Sequence, residues 1–493
     1  METQGKMTNY RWMIVTLLFA TITINYLDRQ VLSLTWDEFI RPEFHFGDDV
    51  YGFIGGLFSL FYAVCYLFAG RFVDKMKTKK GFLWAIGVWS VGACLHALCG
   101  IVTQKWVGLS SAAELAKATG DAAVVISTVG MWAFIVARSI LALGESGNFP
   151  AAIKATAEYF PKRDRAFATS IWNAGASIGA LASPLAIPPL AKAYGWEMAF
   201  IIIGLLGFIW MGFWIFLYDV PAKNKRVNKA ELNYIEQDGQ DEKIEQMPFK
   251  KCFAFKQTWS FAFGKFMTDG VWWFFLFWIP LYLKMQYDIK TTDSLGQMLI
   301  FVIYAIITVL SIYGGKLPTI FINRTGQDPY AARMKAMLMF AFIPLLALFA
   351  QPLGTYTYWF PVIIIALAGS AHQAWSANLF STTGDMFPKE AIATVTGIGG
   401  MAGGLGSFFF QLSAGTLFKY ASGTTIVDGK AVEMTKELLA SGAEYARMPL
   451  QFMSFEGKPA GYFIIFIVCA VAYLIGWIVM KTLVPKYKPI VVE

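Results

Sequence analysis

The chain has 493 residues, of which 56% are hydrophobic and only 15% are charged. Soluble domains carry about 25% charged residues, so this composition excludes an ordinary soluble protein. The net charge of +8 does not indicate nucleic-acid binding, because the basic residues cluster in short loops between apolar runs. Each run is about 20 residues long, which is the length of a helix that crosses a membrane. The sequence therefore predicts an all-α polytopic membrane protein.

Twelve apolar runs follow one another and predict twelve transmembrane helices. We place them at residues 12–34, 50–70, 81–102, 128–153, 166–191, 198–219, 259–283, 296–315, 332–351, 357–382, 393–417 and 460–482. Lys and Arg concentrate in the cytoplasmic loops of membrane proteins. The loops after the second, fourth and sixth runs are basic, whereas the loop after the first run has five carboxylates and a single Arg. We therefore expect both termini on the cytoplasmic side.

A charged segment at residues 220–258 divides the twelve runs into six and six. This repeat predicts two pseudo-symmetric six-helix bundles at 1–219 and 259–493, the arrangement of many secondary transporters. The stretch "NKAELNYIEQDGQDEKIEQ" within the connecting segment predicts an amphipathic helix on the cytoplasmic face. The outer segments 103–127 and 419–459 are longer than tight turns, and the sequence gives them no role beyond solvated decoration.

The first run contains "TINYLDRQ", with Asp28 and Arg29 side by side. An ionised group in mid-membrane costs at least roughly 2.5–3.5 kcal/mol, so such groups usually face a cavity. Adjacent residues on a helix point about 100° apart, so these two charges need separate partners. We expect both to face a water-filled central cavity. A salt-bridged pair that only fixes helix packing is the alternative.

The fourth run contains "ARSILALGESGNFPAA", in which Arg138 and Glu145 are seven residues apart. That spacing is nearly two turns, so both lie on one helix face about 10 Å apart along the axis. A tie between the first and fourth helices, either Arg138 with Asp28 or Arg29 with Glu145, is a purely structural alternative. It is also compatible with transport, because a transporter must exchange such pairs as it opens and closes.

These four charged residues suggest an anionic substrate and proton coupling. A guanidinium fits a carboxylate with two hydrogen bonds and keeps its charge, so Arg29 is predicted as the main carboxylate anchor. Arg138 is predicted as a second anchor or as a switch partner. Whether a buried carboxyl holds a proton depends on a neighbouring Arg, so Asp28 and Glu145 are predicted to couple transport to protons.

Other polar and aromatic residues are weaker candidates, each of which could equally belong to the packed interior. Hydroxyls, amides and an aromatic ring suit a polyhydroxylated ligand, and the residues of these types are Tyr26, Tyr62, Asn173, Gln373, Trp375 and Asn378. Lys265 and Asp269 are four residues apart on the seventh helix and are expected to form an ion pair. Trp272 and Trp273 could lie in the core, at the membrane interface or against a sugar.

The sequence lacks the motifs of nucleotide-driven or metal chemistry. There is no G-x-x-x-x-G-K-[ST] phosphate loop. The three His, at 45, 96 and 372, are scattered, and the five Cys form no C-x-x-C pair. We therefore expect neither an enzyme nor a bound cofactor or metal.

Several stretches carry a family resemblance. They are "NYRWMIVTLLFATITINYLDRQ", "EYFPKRDRAFATSIWNAGASIGALASPL", "GKFMTDGVWWFFLFWIP" and "AHQAWSANLFSTTGDMFPKEAIATVTGIGGMAG". They resemble the anion:cation symporter branch of the major facilitator superfamily, in particular bacterial hexuronate transporters. The loop "GRFVDKMKTKKG" resembles the superfamily's loop signature: Gly70 and Asp74 match it, but Lys77 replaces its usual Gly. In the seventh helix, Gly270 replaces the Pro that the resemblance leads us to expect after Asp269. The resemblance implies the major facilitator fold, a bacterial inner membrane, and binding and coupling roles for the charged residues above.

Together these features predict a proton-coupled symporter that imports an anionic sugar acid by alternating access. The substrate would be a hexuronate, such as glucuronate or galacturonate, or an aldonate. The expected partners are this anion, the proton and the lipid bilayer, and a monomer is expected to suffice. Two alternatives remain: a transporter or exchanger of another organic anion, such as an aromatic carboxylate or a phosphorylated compound, and a non-transporting membrane sensor.

Overall fold

Twelve long helices make up most of the protein, as seen in a computed structural model that describes residues 7–237, 247–314, 317–427, 430–434 and 436–490. Each predicted span overlaps one of them, so the predicted architecture is confirmed. The helices are α1 Arg11–Thr35, α2 Asp48–Met76, α3 Thr78–His96 with Cys99–Val107, α4 Gly120–Glu145 with Asn148–Tyr159, α5 Lys162–Tyr194, α6 Trp196–Leu217, α7 Lys256–Tyr287, α8 Ser294–Gly314, α9 Pro329–Phe342 with Ile343–Phe349 and Ala350–Gly354, α10 Trp359–Met386, α11 Lys389–Ala421 and α12 Lys458–Leu483.

Shorter elements lie between these helices. The short helices are Trp36–Ile40, Arg41–Phe44, Ala112–Lys117, Pro221–Lys223, Lys229–Ile235, Phe249–Phe253, Leu317–Thr325 and Lys436–Ala440. The strands are β1 Thr424–Val427, β2 Lys430–Glu433, β3 Gln451–Phe452 and β4 Phe455–Glu456. β1 pairs with β2 and β3 with β4, both antiparallel. The outer segment 419–459 therefore folds into two small hairpins, which the sequence did not predict.

Helix composition reflects where each helix packs. Within the described ranges, nine helices are long and apolar enough to cross a membrane, and the two parts of α3, which meet at 47°, make a tenth. The remaining two, α1 and α11, are 25 and 33 residues long but more polar or glycine-rich. Both pack against helices of the opposite half, α1 on α7 and α11 on α2. Their small and polar residues therefore face other helices more than lipid.

The two halves meet along α2 and α11, where glycines allow close packing. A Cβ added at Gly415 would lie 2.5 Å from the Asp48 carbonyl oxygen, and one added at Gly404 would collide with Ala63. Interfaces of small residues let membrane helices approach closely. The glycine-rich stretch "GIGGMAGGLG" of α11 therefore serves helix packing.

Polar contacts join the two halves at the face opposite the N-terminus, which we call the outer face. The Tyr51 hydroxyl donates to the Phe277 carbonyl oxygen over 2.7 Å. Two ion pairs also cross between the halves: Lys458 with Asp48 at 2.6 Å and Lys419 with Asp49 at 2.7 Å. The halves are thus closed against each other at the outer face.

The connecting segment is anchored to the start of α1. Glu231, in the short helix Lys229–Ile235, accepts hydrogen bonds from the backbone N–H groups of Tyr10 (2.8 Å) and Arg11 (3.0 Å). Helix starts leave such N–H groups without partners, so this carboxylate caps α1. Of the stretch "NKAELNYIEQDGQDEKIEQ", Lys229–Ile235 is helical and residues 236–237 form a turn, whereas residues 238–246 lie outside the described residues.

The loop between α2 and α3 keeps its turn despite lacking the expected glycine. Lys77 has φ +63° and ψ 154°, a backbone conformation that favours Gly strongly. Asp74, in the last turns of α2, pairs with Lys154 at 2.8 Å. A Lys therefore occupies the position where the resemblance leads one to expect Gly, at the cost of local backbone strain.

Glu43 is a buried carboxyl outside the spanning helices. Its Oε2 accepts a hydrogen bond from the Trp196 indole at 2.7 Å, and its Oε1 has no partner among the described residues. Burial raises the pKa of Glu43 to about 7; the charge of Glu197 adds to this increase, and the Trp196 hydrogen bond opposes it. This carboxyl therefore exchanges its proton near neutral pH.

The Glu43→Gln variant is expected to lose part of the pH dependence of thermal stability. The folded-state pKa lies above the ordinary value of 4.5, so the folded protein holds this proton more tightly than the unfolded chain. The resulting stabilisation is complete below about pH 4.5 and is lost as the pH rises through about 7. In melting experiments on the purified protein, the variant should gain on the wild type between pH 5 and pH 8. A constant difference between the two proteins would contradict this prediction.

Candidate functional site

The centre of the site is an ion pair between α1 and α4. Arg29 donates to Glu145 Oε2 from Nε at 3.0 Å and from Nη2 at 2.5 Å. Both side chains are buried, with 5% and 0% of their surfaces exposed. Both donors bind one oxygen, and Glu145 Oε1 has no partner among the described residues. The carboxylate thus leaves half of its hydrogen-bonding capacity unused.

The other two charged residues lie in the same cluster but do not pair directly. Asp28 Oδ2 accepts a hydrogen bond from the Trp89 indole at 2.5 Å, and no ion pair joins it to Arg138 in the described part of the chain. Asp28 Oδ1 and the Nε and Nη1 atoms of Arg138 have no hydrogen-bond partner there. Unpaired buried groups are costly, so this concentration indicates a place for water or a polar ligand.

Glycines bring the three helices of the cluster together. A Cβ added at Gly92 of α3 would lie 2.5 Å from the backbone nitrogen of Leu141 in α4, and one added at Gly144 would collide with the backbone at Trp89. This close approach sets the Trp89 indole against Asp28 of α1. Gly144, next to Glu145 in α4, therefore helps to position the Asp28 carboxylate of α1, because it lets the helix that carries Trp89 come close.

Aromatic rings surround the Arg29 guanidinium. Its central carbon lies 5.4 Å from the Tyr26 ring, 5.1 Å from the Tyr62 ring and 6.0 Å from the Phe58 ring. The Trp273 ring, from α7 in the second half, is closest at 4.7 Å. The predicted residues Tyr26 and Tyr62 therefore do lie beside Arg29. A cation over an aromatic face is stabilised by the ring's charge distribution.

Several residues of this site were not predicted from the sequence. The Phe58 ring lies beside the guanidinium groups of Arg29 and Arg138, and its centroid is 4.8 Å from the central carbon of the Arg138 group. Gln30 donates to the Tyr304 hydroxyl at 2.7 Å, which joins α1 to α8 beside the cluster. The position of Gln30, next to Arg29, was a usable signal. Phe58 and Trp89 look like ordinary apolar residues of a membrane helix, so no sequence signal distinguished them.

A second pair of charges lies on α7. Lys265 Nζ is 2.6 Å from Asp269 Oδ2, and the Phe380 ring lies 4.4 Å from the same nitrogen. Asp269 packs on α11, where a Cβ at Gly403 would collide with its carboxylate. Lys265 and Asp269 therefore form an ion pair with each other.

The polar residues of α10 are more dispersed than their spacing suggests. Trp375 is fully buried beside Tyr473 of α12, with ring centroids 5.6 Å apart. Asn378 donates to the Ala374 carbonyl oxygen of its own helix at 2.8 Å. Gln373 is half-buried, and Asn173 of α5 is exposed. Within the described residues, no hydrogen bond or ring contact joins any of these four to Arg29.

Two neighbouring tryptophans of α7 point to different surroundings. Trp272 stacks on His372, with ring centroids 5.2 Å apart and an interplanar angle of 6°. His372 also contacts the Tyr473 hydroxyl at 2.8 Å. Trp273 instead faces Arg29.

Within the described ranges, no group of three or more His, Cys, Asp or Glu side chains could hold a metal ion.

The family model of the Major Facilitator Superfamily matches residues 18–411. The chain belongs to this superfamily. Members of the superfamily are transporters, so the chain is a multi-pass membrane transporter and not an enzyme. The charged cluster lies within the first half, on the side where Arg29 contacts Trp273 of the second half.

Comparison with individual proteins agrees with this membership. The chain is 27% identical to the "Hexuronate transporter" of Escherichia coli (strain K12), over 84% of this chain and 88% of that one. It is 24% identical to the "Galacturonate transporter" of Dickeya chrysanthemi, over 74% and 96%. Its fold is similar to a solved bacterial homolog of the human lysosomal transporter Spinster in an inward-facing, unoccupied conformation, with a TM-score of 0.66, 16% identity and coverage of 96% and 97%.

Proposed function

We propose that this protein is a proton-coupled symporter that imports an anionic sugar acid by alternating access. The substrate is a hexuronate, such as glucuronate or galacturonate, or an aldonate. The observation that carries the proposal is the buried Arg29–Glu145 pair of the first half, whose guanidinium lies against Trp273 of the second half. Relatives named as hexuronate and galacturonate transporters support the class of substrate.

Substrate recognition follows from the unused hydrogen-bonding capacity of the cluster. The carboxylate of a sugar acid can take the place of Glu145 on Arg29, because it is the same kind of acceptor for the same guanidinium donors. Arg138, with Nε and Nη1 lacking partners in the described structure, is the second anchor or the partner that Glu145 turns to. Tyr26 and Tyr62 lie within reach of the sugar hydroxyls.

Proton coupling follows from the same exchange. When the substrate carboxylate binds Arg29, Glu145 loses its ion pair with that residue and takes up a proton from water on the open side. Asp28, held by the Trp89 indole, is the second carboxyl of this coupling pair. After the halves rock, release of the anion lets Arg29 recover Glu145, whose proton then leaves to the other side. One anion and at least one proton thus move together.

The remaining parts of the proposal concern the setting of the transporter. Basic loops on the N-terminal side support a cytoplasmic location of both termini in a bacterial inner membrane. The two halves are residues 1–219 and 259–493, and residues 220–258 connect them. In this proposal the second half covers the site that the first half carries. One chain contains both halves, so a monomer is expected to transport.

The proposal is tested by uptake into proteoliposomes. Labelled glucuronate, galacturonate and galactonate are supplied with and without an inward proton gradient, with glucose as a neutral control. We expect uptake of at least one sugar acid, accumulation only with the gradient, and no uptake of glucose. Uptake of an aromatic carboxylate or a phosphorylated sugar in place of every sugar acid would replace this proposal with the organic-anion alternative. No transport of any anion would favour a sensor.

A further inference from the structure

We propose that Trp273 selects ring-form hexuronates over open-chain sugar acids. This inference rests on the proposed function, because it takes Arg29 as the carboxylate anchor. A pyranose hexuronate carries its carboxylate directly on a rigid ring, whereas an aldonate carries it on a flexible chain. An indole beside the anchor can cover the ring of the first and gains much less from the second. The tryptophan thus determines which class of sugar acid is bound tightly.

Trp273 is a residue of the second half whose ring lies against the Arg29 guanidinium. Of the four aromatic rings around the guanidinium, Tyr26, Phe58 and Tyr62 belong to the first half, and Trp273 lies closest at 4.7 Å. Its ring is also 6.0 Å from Phe58 and 6.1 Å from Tyr62. The four rings therefore form a cage whose fourth wall comes from the opposite half.

The surroundings of α7 hold this wall in place. One turn further along α7, the Phe277 ring lies 5.4 Å from the Trp273 ring, and the Phe277 carbonyl accepts the 2.7 Å hydrogen bond from Tyr51 of α2. Gly270 lets α7 approach α11, where an added Cβ would lie 3.1 Å from the Gly406 carbonyl oxygen. A glycine in place of the expected proline therefore keeps α7 close to its neighbour just before Trp273.

The chemistry of the indole suits a sugar ring. A guanidinium binds a carboxylate along its edge, in the plane of the group, so its face stays available to Trp273. The indole is wider than the guanidinium and reaches over a ring attached to that carboxylate. The Trp273 side chain is only partly buried, and its N–H makes no hydrogen bond within the described residues, so it can donate to a ring hydroxyl. Covering the C–H face of a sugar ring with an indole removes apolar surface from water, and we expect this to contribute up to about tenfold in affinity.

The test compares Trp273→Leu, Trp273→Phe and Trp272→Phe with the wild type in proteoliposomes. Unlabelled glucuronate, galacturonate, gluconate and galactonate compete with labelled glucuronate, and inhibition constants are measured for each. We expect the wild type to prefer both hexuronates. Trp273→Leu should weaken hexuronate binding about tenfold and change aldonate binding less than about threefold. Trp273→Phe should keep most of the preference, and Trp272→Phe, whose ring stacks on His372, should keep all of it.

The outcomes separate this inference from the proposed function. If the wild type binds no sugar acid, the proposed function fails and the inference fails with it. If the wild type binds sugar acids but Trp273→Leu leaves the ratio of hexuronate to aldonate affinity unchanged, only the inference is overturned. A wild type that prefers aldonates overturns it as well. Melting temperatures and glucuronate exchange by each variant identify folded protein, and Trp273→Phe provides the comparison if Trp273→Leu does not fold.

Discussion

The Arg29→Lys variant is expected to bind hexuronates roughly tenfold to a hundredfold more weakly than the wild type, while remaining folded. Lysine keeps the positive charge beside Glu145 but replaces the planar fork with a single ammonium, so it cannot offer a carboxylate two parallel hydrogen bonds. A hydrogen bond to a charged group contributes about 1.5–3 kcal/mol, which sets the size of the loss. Competition with labelled glucuronate measures the affinity.

The control for this variant is Arg11→Lys, which changes an Arg at the start of α1 that also pairs with a buried carboxylate. Arg11 Nη1 lies 3.2 Å from Glu231 Oε1. Arg11 is the first residue of α1, whereas Arg29 lies near the other end of that helix. Its substitution should leave the affinity for glucuronate within about twofold of the wild type. Equal affinities of Arg29→Lys and Arg11→Lys would show that Arg29 does not hold the substrate carboxylate.

Glu145→Gln is expected to abolish proton-driven accumulation and to keep substrate exchange. Glutamine has nearly the shape of the protonated carboxyl, but it carries no proton that can be released and no charge to pair with Arg29. The guanidinium is then continuously available to the substrate. Uphill uptake should fall to the background level, whereas counterflow of labelled against unlabelled glucuronate should continue, with an affinity equal to or higher than that of the wild type.

Glu43→Gln is the matched control for this second prediction. Both Glu43 and Asp28 are buried carboxyls that accept a hydrogen bond from an indole, but Glu43 lies in the short helix Arg41–Phe44, outside the charged cluster. Its variant should accumulate substrate as the wild type does. Unchanged accumulation by Glu145→Gln would remove that residue from the coupling mechanism, and a loss of both accumulation and exchange would assign it to binding or folding instead.

The sequence predicted the helices because the membrane restricts the choice of structure. A backbone in lipid must satisfy its own hydrogen bonds, so each apolar run of sufficient length becomes a helix. The same reasoning located Asp28, Arg29, Arg138 and Glu145, because a charged side chain within the membrane is costly unless it has a partner or faces water. The hairpins at β1 to β4 were not predicted, because their short strands lie outside the membrane and lack a clear alternating pattern.

The details of the site required the structure. Two ties between α1 and α4 were compatible with helix spacing. The structure contains the pair of Arg29 with Glu145, and the carboxylate of Asp28 instead accepts a hydrogen bond from Trp89. No one-dimensional pattern specifies a partner on a third helix. The neighbours Trp272 and Trp273 were equivalent in sequence, yet a rotation of about 100° directs one to His372 and the other to Arg29.

Spacing was a weaker guide on α10. Gln373, Trp375 and Asn378 lie within two turns, which favoured a shared polar face. However, α10 is packed on several sides, by α8, α9 and α7 among others, so most of its circumference is buried. Periodicity distinguishes a buried face from an exposed one, and it carries little information when nearly every face is covered.

The most direct test of the central claim is proton movement during substrate uptake, measured with a pH-sensitive dye trapped inside proteoliposomes. We predict that external glucuronate acidifies the lumen in the absence of any imposed gradient, that glucose does not, and that Glu145→Gln takes up glucuronate by exchange without a pH change. Glucuronate uptake by the wild type with no acidification, or acidification that persists in Glu145→Gln, would contradict the account.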